Sequence, residues 1–215
     1  AVELLAGGMA MHALVSGGME NNAQMEAGRD KVAATLRLYD HLSPGVEATA
    51  SAAAQFTGNL REAEAVQKRL VKIADESPGS YQQVDRMFQS MLPSARAITG
   101  DMEKIMDLTT KTTLFAGITG DFDLAGSQVG MMLGGAAGQE MQMWRLLKPS
   151  FAKILEAQGK VKEGANSADI TKAFNQALTP AERLEYTMQA LNSLGPEVAE
   201  HFGKSWEGAT SQAES

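Results

Sequence analysis

Gly203-Lys204-Ser205 is the stretch of the sequence that comes closest to a phosphate-binding loop. Such a loop needs another glycine five residues earlier, because the backbone N–H groups between the two glycines cradle the phosphates. Val198 occupies that position. The motif is incomplete, so the sequence does not predict nucleotide binding.

Asp121 and Asp123 have the spacing of the first two ligands of a calcium-binding loop, and Gly126 matches the glycine of that loop. The pattern then fails, because Ala125 replaces an oxygen ligand and Met132 replaces the closing glutamate. Aspartate is also a preferred N-cap residue. We therefore expect Asp121 or Asp123 to cap a helix, and we expect no metal site.

The three histidines, His12, His41 and His201, do not form a recognisable catalytic or zinc-binding pattern. The chain also has no cysteine, so a thiolate ligand and a thiol nucleophile are excluded. No GxSxG nucleophile motif occurs. We expect no enzyme, no catalytic residue and no cofactor. A cell-wall hydrolase stays open as an alternative.

Length and composition describe a folded acidic protein. The chain has 215 residues, 44% hydrophobic and 21% charged, which is typical of one large or two small globular domains. Its formal net charge of −7 disfavours binding to the phosphates of nucleic acids. We therefore expect no sequence-specific nucleic-acid partner.

Helix-forming residues dominate the sequence, and the alternation of apolar and polar residues that marks strands is absent. Apolar residues instead recur at steps of three and four, which is the period of an amphipathic helix. One such run is Leu60, Ala63, Val66, Leu70 and Ile73. We predict an all-α fold, a multi-helix array of roughly eight or nine helices with short Gly/Pro turns and no sheet.

Capping residues and prolines predict where these helices begin and end. Pro93 and Pro149 are expected to end or break helices, because proline removes a backbone donor. The predicted N-caps are polar residues that precede an apolar helical pattern: Ser80, Asp101, Ser167 and Thr179.

We predict a domain division at the Gly79 turn. Residues 1–79 would hold an N-terminal apolar helix and long helices, and residues 80–215 a compact helical module. The run Leu4–Met19 has no charged residue, but its 16 residues fall short of the about 20 that a transmembrane helix needs. It is a helix buried against its neighbours, a membrane-active segment or a flexible linker. The chain starts without Met, and we expect it to be a piece of a longer protein.

Gly126, Gly130, Gly134 and Gly138 recur every four residues. We predict that they share one face of a helix over 124–147. Each interior glycine loses about 1 kcal/mol of helix stability relative to alanine, so close approach of another helix must offset the loss. The row is therefore predicted to be a helix-packing or oligomer contact, either inside a helical domain or between chains or within a membrane.

Three stretches follow one another in a distinctive order: a helix that ends in a proline turn before an aromatic helix, a linker with a further helix, and a glycine-rich helix that runs into a leucine-containing segment. They are KIADESPGSYQQVDRMFQSML (Lys72–Leu92), ITGDMEKIMDLT (Ile98–Thr109) and DLAGSQVGMMLGGAAGQEMQMWRLLKPSF (Asp123–Phe151). In this order the chain resembles the tape measure proteins of long-tailed bacteriophages. The upstream stretches Gln55–Leu70 and Asn21–Val32 also look like such proteins.

The resemblance implies a mechanical function. Tape measure proteins lie in several copies inside the tail tube, set tail length during assembly and leave ahead of the DNA at infection. The implied partners are further copies of the chain as a homo-oligomer and the tail tube, tail tip and assembly chaperone proteins. The implied location is the lumen of the virion tail after assembly in the host cytoplasm, and contact with a host membrane stays open.

The prolines along the chain indicate that it does not form one extended helix. Fully helical, 215 residues would extend about 320 Å, but five proline breaks predict that the chain folds back: Pro44, Pro78, Pro93, Pro149 and Pro196. We therefore expect a compact helical module within a longer ruler. The alternative is a membrane-active or oligomerising helical interaction module of a secreted system, with the glycine row and the apolar start as its working parts.

Overall fold

The computed structural model describes residues 26–37 and 52–194, without the side chains of 52–58. Helix is the only regular secondary structure in these residues, which confirms the predicted all-α, multi-helix fold. The helices are α1 (26–37), α2 (Ala52–Asp75), α3 (Tyr81–Arg96), α4 (Met102–Thr119), α5 (Phe122–Leu133), α6 (Gln142–Ala157), α7 (Ser167–Lys172), a π-helical turn (Ala173–Ala177) and α8 (Pro180–Asn192).

Several helices begin where the sequence predicts an N-cap. The Ser80 hydroxyl accepts from the Gln83 N–H, and the Gln83 carboxamide accepts from the Ser80 N–H at 2.9 Å, which forms a capping box at α3. Thr179 and Glu182 form the same arrangement at α8. The predicted aspartate caps are also confirmed at α4 and α5, where they are Asp101 and Asp121.

The predicted effects of two prolines are wrong. Pro93 lies inside α3 and Pro149 lies inside α6, and both helices continue beyond them. An interior proline costs a backbone hydrogen bond. Each helix nevertheless holds fully buried residues beside its proline, Leu92 in α3 and Leu147 in α6, so tertiary packing outweighs the local penalty.

The predicted cap of α7 is displaced by one residue. Asn166, and not Ser167, accepts hydrogen bonds from the N–H groups of Ala168 and Asp169, at 2.9 and 3.0 Å. Ser167 is the first residue of the helix. Asparagine and serine are about equally good caps, so the sequence alone does not choose between neighbours.

Helix α3 lies at the centre of the packing. It contacts α2, α4 and α5, while α8 packs against α4, α5 and α6. The buried apolar residues form one cluster that runs from Val32 in α1 to Leu191 in α8, on both sides of residue 79. The domain division between residues 79 and 80 stays a prediction.

An aromatic cluster from α6 and the π-helical turn fills part of the core. Trp144 stacks on Phe151 with ring centroids 4.9 Å apart, and Phe174 meets the two rings at 5.0 and 4.8 Å. All three side chains are fully buried. Their size makes this cluster a large contributor to the stability of the fold.

Helix α1 makes a more polar contact. A Cβ placed on Gly28 would lie 3.4 Å from the Asp85 carboxylate and 3.6 Å from the Tyr81 hydroxyl, so α1 approaches α3 at a polar position. Gln89 donates to Oδ2 of Asp85 at 2.7 Å, whereas the buried Oδ1 has no hydrogen-bond partner among the described residues. Burial raises the pKa of Asp85, and the hydrogen bond from Gln89 and the charge of Lys31 oppose the shift only in part.

Three sequence predictions lie outside the described residues. They concern the apolar segment 4–19, the surroundings of His41 and the incomplete loop at Gly203. Among the helices that the structure describes, none combines the length and the apolar character that a bilayer crossing requires.

Candidate functional site

The first two glycines of the row lie where α5 crosses α3. A Cβ on Gly126 would meet the Ser90 hydroxyl and would lie 2.5 Å from the Met87 carbonyl oxygen, closer than real Cβ contacts allow. A Cβ on Gly130 would lie 3.4 Å from the Ser90 carbonyl oxygen, at the near edge of ordinary van der Waals contact. The backbone of α5 therefore rests directly on that of α3, and Gly126 is the point of closest approach.

The last two glycines of the row lie outside this crossing, so the predicted continuous helix over 124–147 is wrong. Helix α5 ends at Leu133 with Gly134 as its C-cap, and the next helix begins at Gln142. Gly135 has a φ of 78°, a left-handed conformation that favours glycine. Two consecutive glycines weaken a helix by about 2 kcal/mol relative to alanine, and the positive φ turns the chain out of it.

The glycine-rich connection 134–141 is held in place by Asn175 of the π-helical turn. The Ala137 N–H donates to Oδ1 of Asn175 at 2.9 Å, and Nδ2 of Asn175 donates to the Ala137 carbonyl at 2.8 Å. One side chain thus pairs with both backbone groups of one loop residue. A π-helical turn widens the helix locally, and such turns are frequent at functional sites.

Arg183 of α8 fastens the other side of this connection. Its Nε donates to the Leu133 carbonyl at 2.9 Å, and its Nη1 donates to the Leu178 carbonyl at 2.8 Å and reaches the Asn175 carbonyl at 3.5 Å. A Cβ on Gly135 would lie 3.2 Å from the guanidinium carbon. Gly135 therefore provides both the turn and the space that Arg183 needs.

The acidic side chains of α8 have other partners. Glu182 accepts from Lys160 at 2.9 Å, and this bond together with those from Thr179 holds the pKa of Glu182 at about 2, below its ordinary 4.5. Glu185 accepts from Gln189 and Lys104, each at 3.2 Å, and these bonds also lower its pKa. The two carboxylates nearest to Arg183 in sequence are thus engaged elsewhere.

A groove with a volume of about 360 Å³ lies beside Arg183, between the ends of α3 and α5 and the start of α8. Ser94 is a half-buried polar residue of its lining, and its hydroxyl lies near α5, 3.5 Å from where a Cβ on Gly130 would be. The remaining lining is mainly apolar: Pro93, Ala97, Ile98, Leu133, Gly134 and Pro180.

A second groove, of about 680 Å³, is lined by Asn175 and by other mostly polar residues of the connection, α7 and the π-helical turn. Its side chains bind one another. Gln139 donates to the hydroxyls of Ser167 and Thr171 at 2.5 and 3.1 Å, and Lys148 donates to Ser167 at 3.0 Å. The polar groups of these side chains are hydrogen-bonded to one another, and the bonds from Gln139 hold the connection 134–141 against α7.

The remaining sequence candidates have structural partners. Asp121 caps α5, and Asp123 lies 3.5 Å from Arg86 as an ion pair. Within residues 26–37 and 52–194, no group of three or more acidic, histidine or cysteine side chains could hold a metal ion. The site built around the connection 134–141 therefore offers fixed hydrogen-bond donors and apolar walls, which suit the binding of a partner.

Sequence reasoning selected the glycines but missed the residues that fix them. Asn175 lies 38 residues from Ala137 and Arg183 lies 50 residues from Leu133, and neither belongs to a recognisable motif. The adjacent pair Gly134-Gly135 was the one local signal that the helix ends there. Comparison with protein-family models, curated proteins and solved structures finds no match for the chain.

Proposed function

We propose that the chain is a segment of a phage tail tape measure protein and acts there as a folded helical module. The proposal begins from the order of sequence features over 72–151, which resembles that family. In the fold, these residues run from the end of α2 into α6 and share one core with α8. The stretch that carries the resemblance is therefore the centre of a packed unit.

The observation that supports a module over a plain ruler is the return of the chain on itself. Lys104 of α4 binds Glu185 of α8 at 3.2 Å, although 81 residues separate them. An extended helix would place those residues about 120 Å apart. The longest described helix has 24 residues, or about 36 Å.

In this proposal the module occupies a fixed length inside the tail tube and contributes to assembly and DNA ejection through its surfaces. Neighbouring copies and the tube, tip and chaperone proteins are the proposed partners. The acidic chain, with its net charge of −7, would be repelled by DNA that passes along the same tube. The segments of the parent protein that set tail length lie outside such a module.

The test is an in-frame deletion of residues 52–194 in the phage that encodes the parent protein. Tail length is measured by electron microscopy, and infectivity by plaque titre. A ruler of 143 residues predicts tails shortened by about 215 Å. A folded module predicts a much smaller change in length and a large loss of infectivity.

A point variant provides the control that keeps the chain length constant. Phe151→Ala is expected to loosen the module, so it should lower the titre while tail length stays normal. Tails shortened by the full 215 Å on deletion would contradict the module. Normal length together with normal titre on deletion would contradict any tape measure role for this segment.

One observation supports the alternative of an oligomerising interaction module. Leu124 and Met131 lie seven residues apart on α5 and are 39% and 43% exposed, so they share an outward face of this helix. Sedimentation of the chain over a hundredfold range of concentration tests this alternative. Self-association that Met131→Lys abolishes would support it, and a monomer at all concentrations would contradict it.

A further inference from the structure

Arg183 is a half-buried cation without an acidic partner. Its hydrogen bonds go to three backbone carbonyls, and no acidic side chain of the described residues forms an ion pair with it. Carbonyl dipoles stabilise a guanidinium only in part, because a full negative charge is the stronger partner. Arg96, the other arginine of the interior, has an acidic neighbour, Glu62 at 3.6 Å.

The guanidinium is fixed in orientation, and one edge stays available. Its Nε and Nη1 atoms are held by the carbonyls of Leu133 and Leu178, whereas its Nη2 makes no hydrogen bond with any residue in the described part. The Arg183 side chain is only half-buried and lines a groove that opens to solvent. A donor that is already oriented loses little conformational freedom when it binds.

The groove beside Arg183 adds a second donor and apolar walls. Ser94 and Arg183 line the same 360 Å³ groove, together with Pro93, Ile98 and Leu133. We infer that this groove binds a glutamate or aspartate side chain that lies within an apolar peptide segment of a partner protein. The carboxylate would accept hydrogen bonds from Nη2 of Arg183 and from Ser94, and apolar neighbours of the acidic residue would cover the walls.

Charge and shape favour a carboxylate over a phosphate or a nucleic acid. The groove contains a single cationic side chain, Arg183, and its other lining residues are uncharged. A nucleic acid would require several cations along its backbone and would be repelled by a chain of net charge −7. One carboxylate matches one guanidinium edge, which is the pairing that arginine geometry favours.

The inference does not depend on the proposed phage function, because the groove and its donors belong to the fold alone. It is tested with the purified 215-residue chain and two synthetic peptides, acetyl-Ala-Leu-Glu-Leu-Ala-amide and the same peptide with glutamine in place of glutamate. Binding is followed by the ¹H–¹⁵N NMR shifts of the backbone N–H groups of Ser94 and Gly134 and of the Nε–H group of Arg183. We expect the glutamate peptide to shift these signals and to bind at least about tenfold more tightly than the glutamine peptide.

Two variants with the same added charge localise the effect. Ala97 is an exposed residue of this groove and Ala168 an exposed residue of the second groove. Ala97→Glu should weaken binding of the glutamate peptide at least about tenfold, because it brings a competing carboxylate to the groove. Ala168→Glu should change it less than about twofold, since its charge lies on a different surface.

Several results would overturn the inference. These are equal affinity for the two peptides, normal binding by Ala97→Glu, or shifts confined to residues outside the groove. Stronger shifts with sodium phosphate than with the glutamate peptide, at equal ionic strength, would assign the groove to phosphate instead. Both charge variants are first compared with the parent chain by circular dichroism, so that an unfolded variant is not counted.

Discussion

Two parts of the core are filled in opposite ways. Where α6 meets the π-helical turn, three buried rings pack against one another and fill the space: Trp144, Phe151 and Phe174. Between α3 and α5 the space is nearly absent, because Gly126 lets the two backbones meet. Packing in the first region depends on large side chains, and packing in the second depends on the absence of a side chain at Gly126.

This difference predicts opposite responses to mutation. Removal of atoms should damage the aromatic region, where it leaves a cavity. Addition of atoms should damage the glycine region, where no room exists. The connection 134–141 joins the two regions in the chain, so it should respond to changes in backbone geometry.

The largest effect is expected in the aromatic cluster. Phe151→Ala should lower the free energy of unfolding by about 4 kcal/mol, because it removes a fully buried ring and leaves a cavity between Trp144 and Phe174. Urea denaturation followed by circular dichroism measures the loss. Phe151→Leu, which keeps most of the volume, should lose less than about 1.5 kcal/mol. Similar losses for the two variants would mean that ring volume is not what stabilises this region.

The connection between the two regions should give an intermediate effect. Gly135→Ala should cost about 2 kcal/mol, because an alanine is strained at a φ of 78° and its Cβ would press on the guanidinium of Arg183.

Gly159→Ala is the matched control for this position. Gly159 has a φ of 65°, but a Cβ there would meet no atom within 4 Å, so only the backbone strain of about 1 kcal/mol remains. Both losses are read from urea denaturation under identical conditions. Equal losses at the two positions would mean that close contact with Arg183 adds nothing to the cost at Gly135.

The smallest effect is expected where α1 meets α3. This contact is polar, unlike the aromatic cluster and the glycine crossing. Asp85→Asn should stabilise the protein at neutral pH by up to about 1 kcal/mol, because it removes a half-buried charge whose Oδ1 lacks a partner. Hydrogen exchange measures the gain, and the increase in amide protection caused by the variant should be largest in α1.

The pH dependence of the same variant has a defined sign. Burial raises the pKa of Asp85 in the folded chain above its ordinary 3.8, so the wild-type side chain favours the fold below that pH. This contribution is lost as pH rises from 3.8 through the folded pKa. The advantage of Asp85→Asn should therefore be absent below about pH 3.8, grow above it and then level off. An advantage that is the same at every pH would contradict the burial of this carboxylate.

Much of the fold could be predicted from the sequence because its signals are local. Ser80 with Gln83 and Thr179 with Glu182 are capping boxes that three-residue spacing reveals, and both are present in the structure. The predictions for Pro93 and Pro149 were wrong because their outcome depends on tertiary packing. Their local penalty is real, but the burial of the residues beside each proline outweighs it, and sequence periodicity does not contain that information.

The site could be predicted only in part. Gly126 was correctly placed within a helix, while Gly134 and Gly138 were assigned to the same helix because a four-residue period describes all of them. The period does not reveal that Arg183 and Asn175 reach the loop that follows. Contacts of this kind depend on how distant helices pack, and a single sequence leaves them undetermined.

The most direct test of this account compares alanine at each glycine of the row by urea denaturation. Gly126→Ala should lose at least about 1 kcal/mol, because its clash with α3 exceeds the gain in helix propensity. Gly130→Ala should be neutral or gain up to about 1 kcal/mol. Gly134→Ala and Gly138→Ala should stay within about 0.5 kcal/mol, since a Cβ there meets only its own helix end or the exposed Glu140 side chain. Equal losses at all four positions would contradict the account, because they would place the whole row on one continuous packing face.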